Sequence, residues 1–433
     1  MRAAQEDRGQ IIVMLAVGLL ILILFVGLAV DGGMAYITKA KLSKAVDAAC
    51  LTGMKALPQG QDTATTLATH IFNANYGPNP PIPTITFPTD GYGDQQVSVT
   101  ASANVPTFFA QHFFQFWHVS DTATATRGKL VMSLVLDRSG SMNGNGGGTA
   151  LKAAVPPFVN DWDDSRDDLA MVSYASNARV DFHMSTNFQS PINTAVAGLS
   201  FTGGTFGTGG TYVASVGPPL ALADNEIGTI PILTGQNVTR VAIYFTDGQM
   251  NEIQDTLSCN GTPTLYNIGG YDISSDPNVG FFNPTTGAQI YRYDGVSTWY
   301  TCDVSGNCNT MTATSCLRTV AGFLSAQSGT IKPFTRSNVT NESQYRALQT
   351  ANAMRSENPG VFLYVVGLGS GVNSTTQAFL RQIANDPASS TYNPSLPVGE
   401  FWYVQDCPGP NCTQELTTVF QTIAAKILLR LTQ

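Results

Sequence analysis

The chain has 433 residues, with Lys+Arg at 22 against Asp+Glu at 30 and a formal net charge of -8. Charged residues make up 12%, against about 25% in an ordinary soluble domain. An acidic chain without a basic cluster excludes nucleic acid as the expected partner, and the length leaves room for one large core domain and a smaller module.

Ile11 to Val30 contains no charged residue, and Gly18 and Gly27 are its only breaks from apolar side chains. At helical rise such a run crosses the hydrocarbon core of a bilayer. A cleaved signal peptide competes with this reading. The run is longer than a signal h-region, however, and no Ala-x-Ala-like site follows it, so a retained transmembrane helix over 11–30 is expected behind a short cytoplasmic N-terminus at 1–10. Met34, Tyr36, Ile37, Lys39, Lys41, Leu42, Lys44, Ala45, Val46, Ala48 and Ala49 predict that the helix continues into water. Arg2 and Arg8 precede the span and Lys39, Lys41 and Lys44 follow it, which narrowly favours a cytoplasmic C-terminal side. Long domains translocate regardless of so small a bias, and the cysteines weigh for export.

Residues 31–128 predict this helix extension and a small α+β segment. Asp62 to Asn75 reads as a short amphipathic helix with Leu67, His70, Ile71 and Ala74 on one face, His70 being a core or rim side chain rather than a ligand. Pro78, Pro80, Pro81 and Pro83 make a connector. Gln95 to Val105 alternates strictly, as a half-buried strand does, and Val119 to Thr126 reads as a second strand. Between them Phe108, Phe109, Phe113, Phe114, Phe116 and Trp117 predict a core helix packed on the strand, with a membrane-surface patch as the alternative.

From residue 129 onward strands and helices alternate. Strands are expected at Leu130–Leu136, Leu169–Ala175, Arg179–Met184, Val238–Phe245, Val361–Gly367 and Phe401–Val404, the second and third forming an edge hairpin. Helices are expected at Thr149–Asp161, Phe188–Leu199, Tyr212–Ala223, Glu342–Glu357, Ser374–Asn385 and Gln414–Leu431. Uniformly apolar central strands alternating with helices mean an α/β fold with a doubly wound, mostly parallel sheet over 129–433. Residues of about 249–337 interrupt the pattern with Gly, Asn, Tyr, Pro and cysteines. They are read as an insertion, either shaping partner specificity beside Asp247 or making a tolerated surface excursion.

Asp137-Arg138-Ser139-Gly140-Ser141 directly follows the first of these strands. A carboxylate and two hydroxyls on one turn are hard oxygen ligands of the kind Mg²⁺ takes, and the carboxyl end of such a strand is where ligands usually sit. A helix cap is the plain alternative for the serines. Thr202-Gly203-Gly204-Thr205 and Gly209-Gly210-Thr211 come next, the latter followed by a helical stretch. Thr246-Asp247-Gly248 ends a further strand. Together these resemble the metal-ion-dependent adhesion site of von Willebrand factor A domains. The resemblance implies Asp137, Ser139 and Ser141 in a first loop, Thr211 in a second, with Thr205 as its rival, and Asp247 in a third. It implies Mg²⁺, or Mn²⁺ or Ca²⁺, completed by an Asp or Glu carboxylate of a protein partner.

The N-terminal block carries a second likeness. Arg8-Gly9-Gln10, the apolar span, Val30-Asp31-Gly32 and Val46-Asp47-Ala48-Ala49 resemble TadE/TadG-like proteins of tight-adherence (Flp) pilus assembly over roughly residues 1–57. Cys50 stands where that pattern usually has alanine. Several members carry a von Willebrand A domain behind the same anchor, so the resemblance implies a single-pass protein of the bacterial inner membrane.

The remaining cysteines are Cys259, Cys302, Cys308, Cys316, Cys407 and Cys412. Cys407 with Cys412 and Cys302 with Cys308 close short turn-rich loops and suit local disulfides, which leaves Cys259 with Cys316; other pairings stay open. Scattered histidines and the absence of Cys-x-x-Cys speak against zinc, and irregular spacing argues for an oxidising compartment, placing the large domain in the periplasm. The glycine-rich stretch at Gly144–Lys152 lacks the Gly-Lys-Ser/Thr order of an NTPase loop, and Gly-x-Ser-x-Gly and His-Glu-x-x-His are absent. The expected function is therefore metal-dependent protein binding in pilus assembly or anchoring, with no catalytic residue. A surface adhesin using the same site is the alternative. A metal-assisted hydrolase is a third reading, and it lacks an apparent general base.

Overall fold

A computed structural model describes residues 7–89, 94–144, 146–175, 177–201, 217–248, 250–259, 261–270, 278–303, 307–312, 316–405, 407 and 409–431. The chain divides into two compact units, Met1–Gly128 and Lys129–Leu431, with Thr432–Gln433 grouped with the first.

The first unit begins with α1, Asp7–Ala56, an unbroken helix of 50 residues. Its N-terminal half is long and apolar enough to cross a membrane and is only 6% buried in its most apolar window. Its C-terminal half changes character. Leu42, Ala45, Val46, Ala49, Cys50 and Met54 recur at helical spacing and are buried against α2, Gln61–Tyr76, and a three-stranded antiparallel sheet. That sheet is β1 (Thr84–Thr86), β2 (Gln95–Pro106) and β3 (Phe116–Arg127), in that order. Val97, Val99 and Ala101 of β2 face the helices. On the other face hydroxyls pair across the strands, Thr100 with Thr122 at 2.9 Å and Ser98 with Thr124 at 3.1 Å. Cys50 is accounted for: its thiol donates to the Val97 carbonyl at 3.0 Å, filling a small buried site.

Two expectations for this unit are corrected. The buried face of α2 is Ala64, Ala68 and Phe72, while His70, Ala74 and Leu67 point to solvent. The small residues win because they let α2 approach α1 closely; a Cβ on Gly53 would lie 3.3 Å from that of Ala68. The aromatic segment is not a core helix. It is the β2–β3 loop with a single 3-10 turn at Ala110–His112, and Phe108, Phe109, Phe113, Phe114 and Phe116 are exposed. The sheet has one apolar face and α1 and α2 already cover it, so no core surface remains for these rings.

The second unit is built on a six-stranded sheet. Its elements in chain order are β4 (Lys129–Asp137), α3 (Ser141–Gly144), α4 (Gly147–Asn160), β5 (Asp168–Tyr174), β6 (Ala178–Ser185), α5 (Gln189–Ala197), α6 (Gly217–Gly228), β7 (Val238–Thr246), an insertion, α7 (Arg336–Ser356), β16 (Val361–Leu368), α8 (Ser374–Ala384), β17 (Glu400–Val404) and α9 (Cys412–Leu431). The strand order is β17-β16-β7-β4-β5-β6, parallel throughout except for the antiparallel edge strand β6. Period two divides β4 between two cores. Leu130, Met132, Leu134 and Leu136 meet the side covered by α4, α5 and α9, while Val131 and Val135 meet the side covered by α6, α7 and α8. A sheet buried on both faces is why its strands read as continuous apolar runs, and it is the doubly wound sheet expected.

The insertion between β7 and α7 is more ordered than its composition suggests. It forms an antiparallel meander of β8 (Glu252–Cys259), β9 (Thr262–Gly270), β10 (Val279–Phe282), β11 (Gln289–Tyr293), β12 (Trp299–Cys302) and β13 (Cys308–Thr310), followed by the short hairpin β14 (Phe323–Leu324) and β15 (Ile331–Lys332). Ile253, Ile268, Phe281, Trp299, Phe334 and Val339 give it a core of its own. Val339 lies on α7, which begins earlier than expected because Thr335 caps it, its hydroxyl accepting the Asn338 N–H at 3.2 Å. Disulfides join Cys302 to Cys308 and Cys407 to Cys412, with Cα atoms 4.0 and 4.9 Å apart. The side chains of Cys259 and Cys316 lie outside the described residues.

Candidate metal centre

The chain winds outward from β4 through β5 and β6 on one side and from β7 through β16 and β17 on the other, so the order reverses between β4 and β7. At such a switch point a crevice opens at the carboxyl ends of the strands. The register pairs Leu136 with Phe245, which sets Asp137 beside Thr246 and brings the two following turns together.

Asp137 shapes its own turn and reaches the neighbouring strand. One carboxylate oxygen accepts the Ser139 N–H at 2.8 Å; the other accepts the Thr246 hydroxyl at 3.2 Å and the Asp247 N–H at 3.4 Å. The Ser139 and Ser141 hydroxyl oxygens stand 3.0 Å apart, and Asp247 Oδ1 accepts from Ser141 at 2.8 Å and from Ser139 at 3.4 Å. Asp137, Ser139 and Asp247 are buried. Four of the five predicted ligands are therefore together. Thr211, like its rival Thr205, falls within residues 202–216, outside the described residues.

The donor set suits a small hard cation. Octahedral oxygens at about 2.0–2.1 Å from Mg²⁺ lie about 3 Å from their neighbours, which is the spacing of these hydroxyl and carboxylate oxygens. Burial pushes the Asp137 carboxyl up from its ordinary value, opposed by hydrogen bonds from Ser139, Asp247 and Thr246. A cation would offset that penalty. Among the described residues no group of three or more His, Cys, Asp or Glu side chains could hold a metal ion; this site is instead two carboxylates and two hydroxyls.

The sequence reading missed two supports. Tyr174 and Tyr244 stack with ring centroids 5.4 Å apart, and Tyr174 Oη lies 2.6 Å from Tyr244 Oη and 2.7 Å from the Phe245 carbonyl. Burial, then the charge of Asp137, pushes both phenols well above their usual range, so they stay neutral beside the carboxylate. No local sequence signal marks them, because the pairing of Tyr174 with Asp137 exists only in the assembled sheet. Arg138 is the one cation in the first turn, and it is turned aside. Its guanidinium donates to Asn177 Oδ1 at 2.6 Å and Ser173 Oγ at 3.2 Å.

Residues 9–56 match the family described as "Tad: Putative Flp pilus-assembly TadE/G-like". The N-terminal segment is TadE/G-like. No curated protein matches the sequence. Solved structures similar to the chain include the vWF domain of the type V pili tip protein Mfa5 from Porphyromonas gingivalis, 14% identical over 71% of this chain and 97% of that one, with a TM-score of 0.40. A point mutant of the PilB minor pilin from Streptococcus sanguinis is 13% identical over 82% and 80%, with a TM-score of 0.39. Manganese-loaded TRAP protein from Plasmodium vivax is 14% identical over 76% and 78%, with a TM-score of 0.34. The fold behind the TadE/G-like segment rests on its own strand order and register.

The third turn is braced from β16. A Cβ on Gly371 would lie 2.3 Å from the Asp247 carbonyl oxygen, so the loop after β16 presses on the backbone that carries this carboxylate. Gly371→Ala must push that turn aside. Its expected effect is a loss of about tenfold in divalent-cation affinity, comparable to removing a group that orients a ligand. Titration of the full-length protein with Mn²⁺, followed by electron paramagnetic resonance, checks this; unchanged affinity would show that the brace is idle.

Proposed function

We propose that the chain is a membrane-anchored component of tight-adherence pilus assembly or anchoring that captures a partner protein through a divalent cation. The observation that carries the reading is the meeting of Asp137, Ser139, Ser141 and Asp247 from two strand ends across the switch point. The TadE/G-like match supplies the pilus context. Asp137 and Asp247, with Ser139 and Ser141, hold the cation, and Thr211 completes the protein's share. A bound Mg²⁺, Mn²⁺ or Ca²⁺ supplies an open coordination position that an Asp or Glu of the partner can fill.

This chain's residues bind and orient rather than catalyse. The phenols beneath the site are held neutral by burial and Arg138 is engaged elsewhere, so among the described residues neither tyrosine nor this arginine is poised as a general base. The disulfides Cys302–Cys308 and Cys407–Cys412 favour an oxidising compartment, which supports a periplasmic second unit behind an α1 anchored in the inner membrane.

Full-length protein in lipid nanodiscs is expected to retain pilus and secretion-machinery components in Mg²⁺, to release them in EDTA and to recapture them when Mg²⁺ is restored. Capture undiminished by EDTA overturns the reading. Protection of the second unit from protease on intact cells separates it from a surface adhesin, which would be cleaved.

A further inference from the structure

The β2–β3 loop leaves a cluster of phenylalanines outside any core, Phe113 at 79% and Phe108 at 59% relative exposure. We propose that this loop, Pro106 to Trp117, is a second membrane-inserted element: a phenylalanine wedge lying along α1 with its rings among lipid acyl chains. The inference rests on α1 being the membrane anchor.

Position is the first argument. The loop and α1 enclose an apolar cleft of about 320 Å³, lined by Leu20, Ile23 and Leu24 on the helix and by Phe109, Phe113 and Phe114 on the loop. Those helix residues lie inside the uncharged run Ile11–Val30, so the rings continue the surface that faces lipid rather than the surface that faces water. The seat is built for the loop. Gly27, Asp31 and Ala35 form one buried stripe on α1, and a Cβ on Gly27 would lie 2.6 Å from Phe109.

The second argument is the backbone, and it favours lipid over a protein partner. An irregular segment enters hydrocarbon only if its polar groups are satisfied within the protein, each failure costing several kcal/mol. Asp31, itself buried, accepts the N–H groups of Phe108, Phe109 and Ala110 at 2.9, 3.1 and 2.8 Å. The N–H groups of Phe113 and Phe114 both bond to the Ala110 carbonyl, and that of Thr107 to Gln115. The Thr107 hydroxyl donates to the Phe114 carbonyl. The sequence from Gln95 to Ser120 contains no Asp, Glu, Lys or Arg. A protein groove would ask only for exposed rings. Three amides gathered onto a carboxylate at the end of the span is the provision a bilayer requires. Asp31 thus clips the wedge to the anchor.

Phe113→Trp in the full-length protein, reconstituted in vesicles with brominated acyl chains, tests the wedge. The emission added over wild type is expected to be quenched by the brominated lipid and shielded from aqueous acrylamide, and Asp31→Asn in the same background is expected to reverse both. Quenching by acrylamide alone places the loop in water and overturns the proposal. Unchanged quenching in Asp31→Asn removes the clip. A Leu15→Trp variant reports α1 separately, so failure of the anchor is told from failure of the wedge. In native membranes a photo-crosslinking residue at position 113 is expected to give lipid adducts; a discrete protein adduct would assign the loop to a partner instead.

Discussion

In the Asp137→Ala protein, Mg²⁺ no longer raises the melting temperature of the second unit. The wild-type gain at a hundredfold excess over the dissociation constant is about 2.7 kcal/mol, or roughly 4 °C for a unit of this size. The alanine variant loses two things. It loses a cation ligand, and it leaves the Ser139 and Asp247 N–H groups and the Thr246 hydroxyl without the carboxylate they bond. The second loss costs about 1–3 kcal/mol whether or not metal is present, so alanine alone mixes site and scaffold. Asp137→Asn separates them. The amide oxygen keeps one of the two accepting positions while its NH2 meets donors at the other, and a buried charge beside Asp247 is gone, so the metal-free variant is expected to melt above the metal-free alanine variant. It then gains nothing from Mg²⁺. Trp162, 1% exposed in the core beneath α4, reports the transition by its emission. An equal Mg²⁺ gain in wild type and Asp137→Asn would remove the metal site from this crevice.

How much of this was legible in the sequence follows from how strongly each segment is constrained. β4, β5, β7 and β16 are buried on both faces, so every residue reports the same environment and the runs are unambiguous. Asp137 and Asp247 were legible because each sits where such a run stops. The pairing of Leu136 with Phe245, which makes them neighbours, lies in the sheet order and nowhere in the local sequence.

The insertion was legible as a boundary and not as a sheet. Tyr266, Ile268, Phe281 and Trp299 fill its core, but Asn267 and Gly280 between them are buried as well, so the apolar alternation that marks a half-buried strand is broken. The errors on α2 and on the aromatic loop have different causes. The reading of α2 placed Leu67, His70, Ile71 and Ala74 inside and passed over Phe72, while that of the loop assigned its rings to the core. In the first unit the helix contact goes to Ala64, Ala68 and Gly53, because close approach of two helices rewards small residues more than bulk. The rings of the loop lie outside any core, beside the apolar half of α1.

Glu252→Gln is expected to stabilise the second unit at neutral pH by about 1–3 kcal/mol, the cost of retaining in the fold a proton that the unfolded chain has released, at about 1.4 kcal/mol per pKa unit. Glu252 opens β8 at 1% exposure, and burial pushes its carboxyl well above the usual glutamate range, with the Asn267 side chain opposing only part of the shift. The folded protein therefore keeps this proton at pH values where the unfolded chain has released it. Stability from this group is complete below the unfolded value of about 4.5 and declines as pH rises toward the folded value. Wild type should accordingly lose stability on going from pH 5 toward neutrality, and the glutamine variant, which cannot ionise, should lose less. Urea melts across that range, followed through Trp299 in the core shared with Ile253, measure the difference directly. Parallel pH profiles for the two proteins would mean that Glu252 is ionised and satisfied in the fold. A profile that flattens only in the variant identifies this carboxyl as the group that shifts the stability of the inserted sheet toward acid.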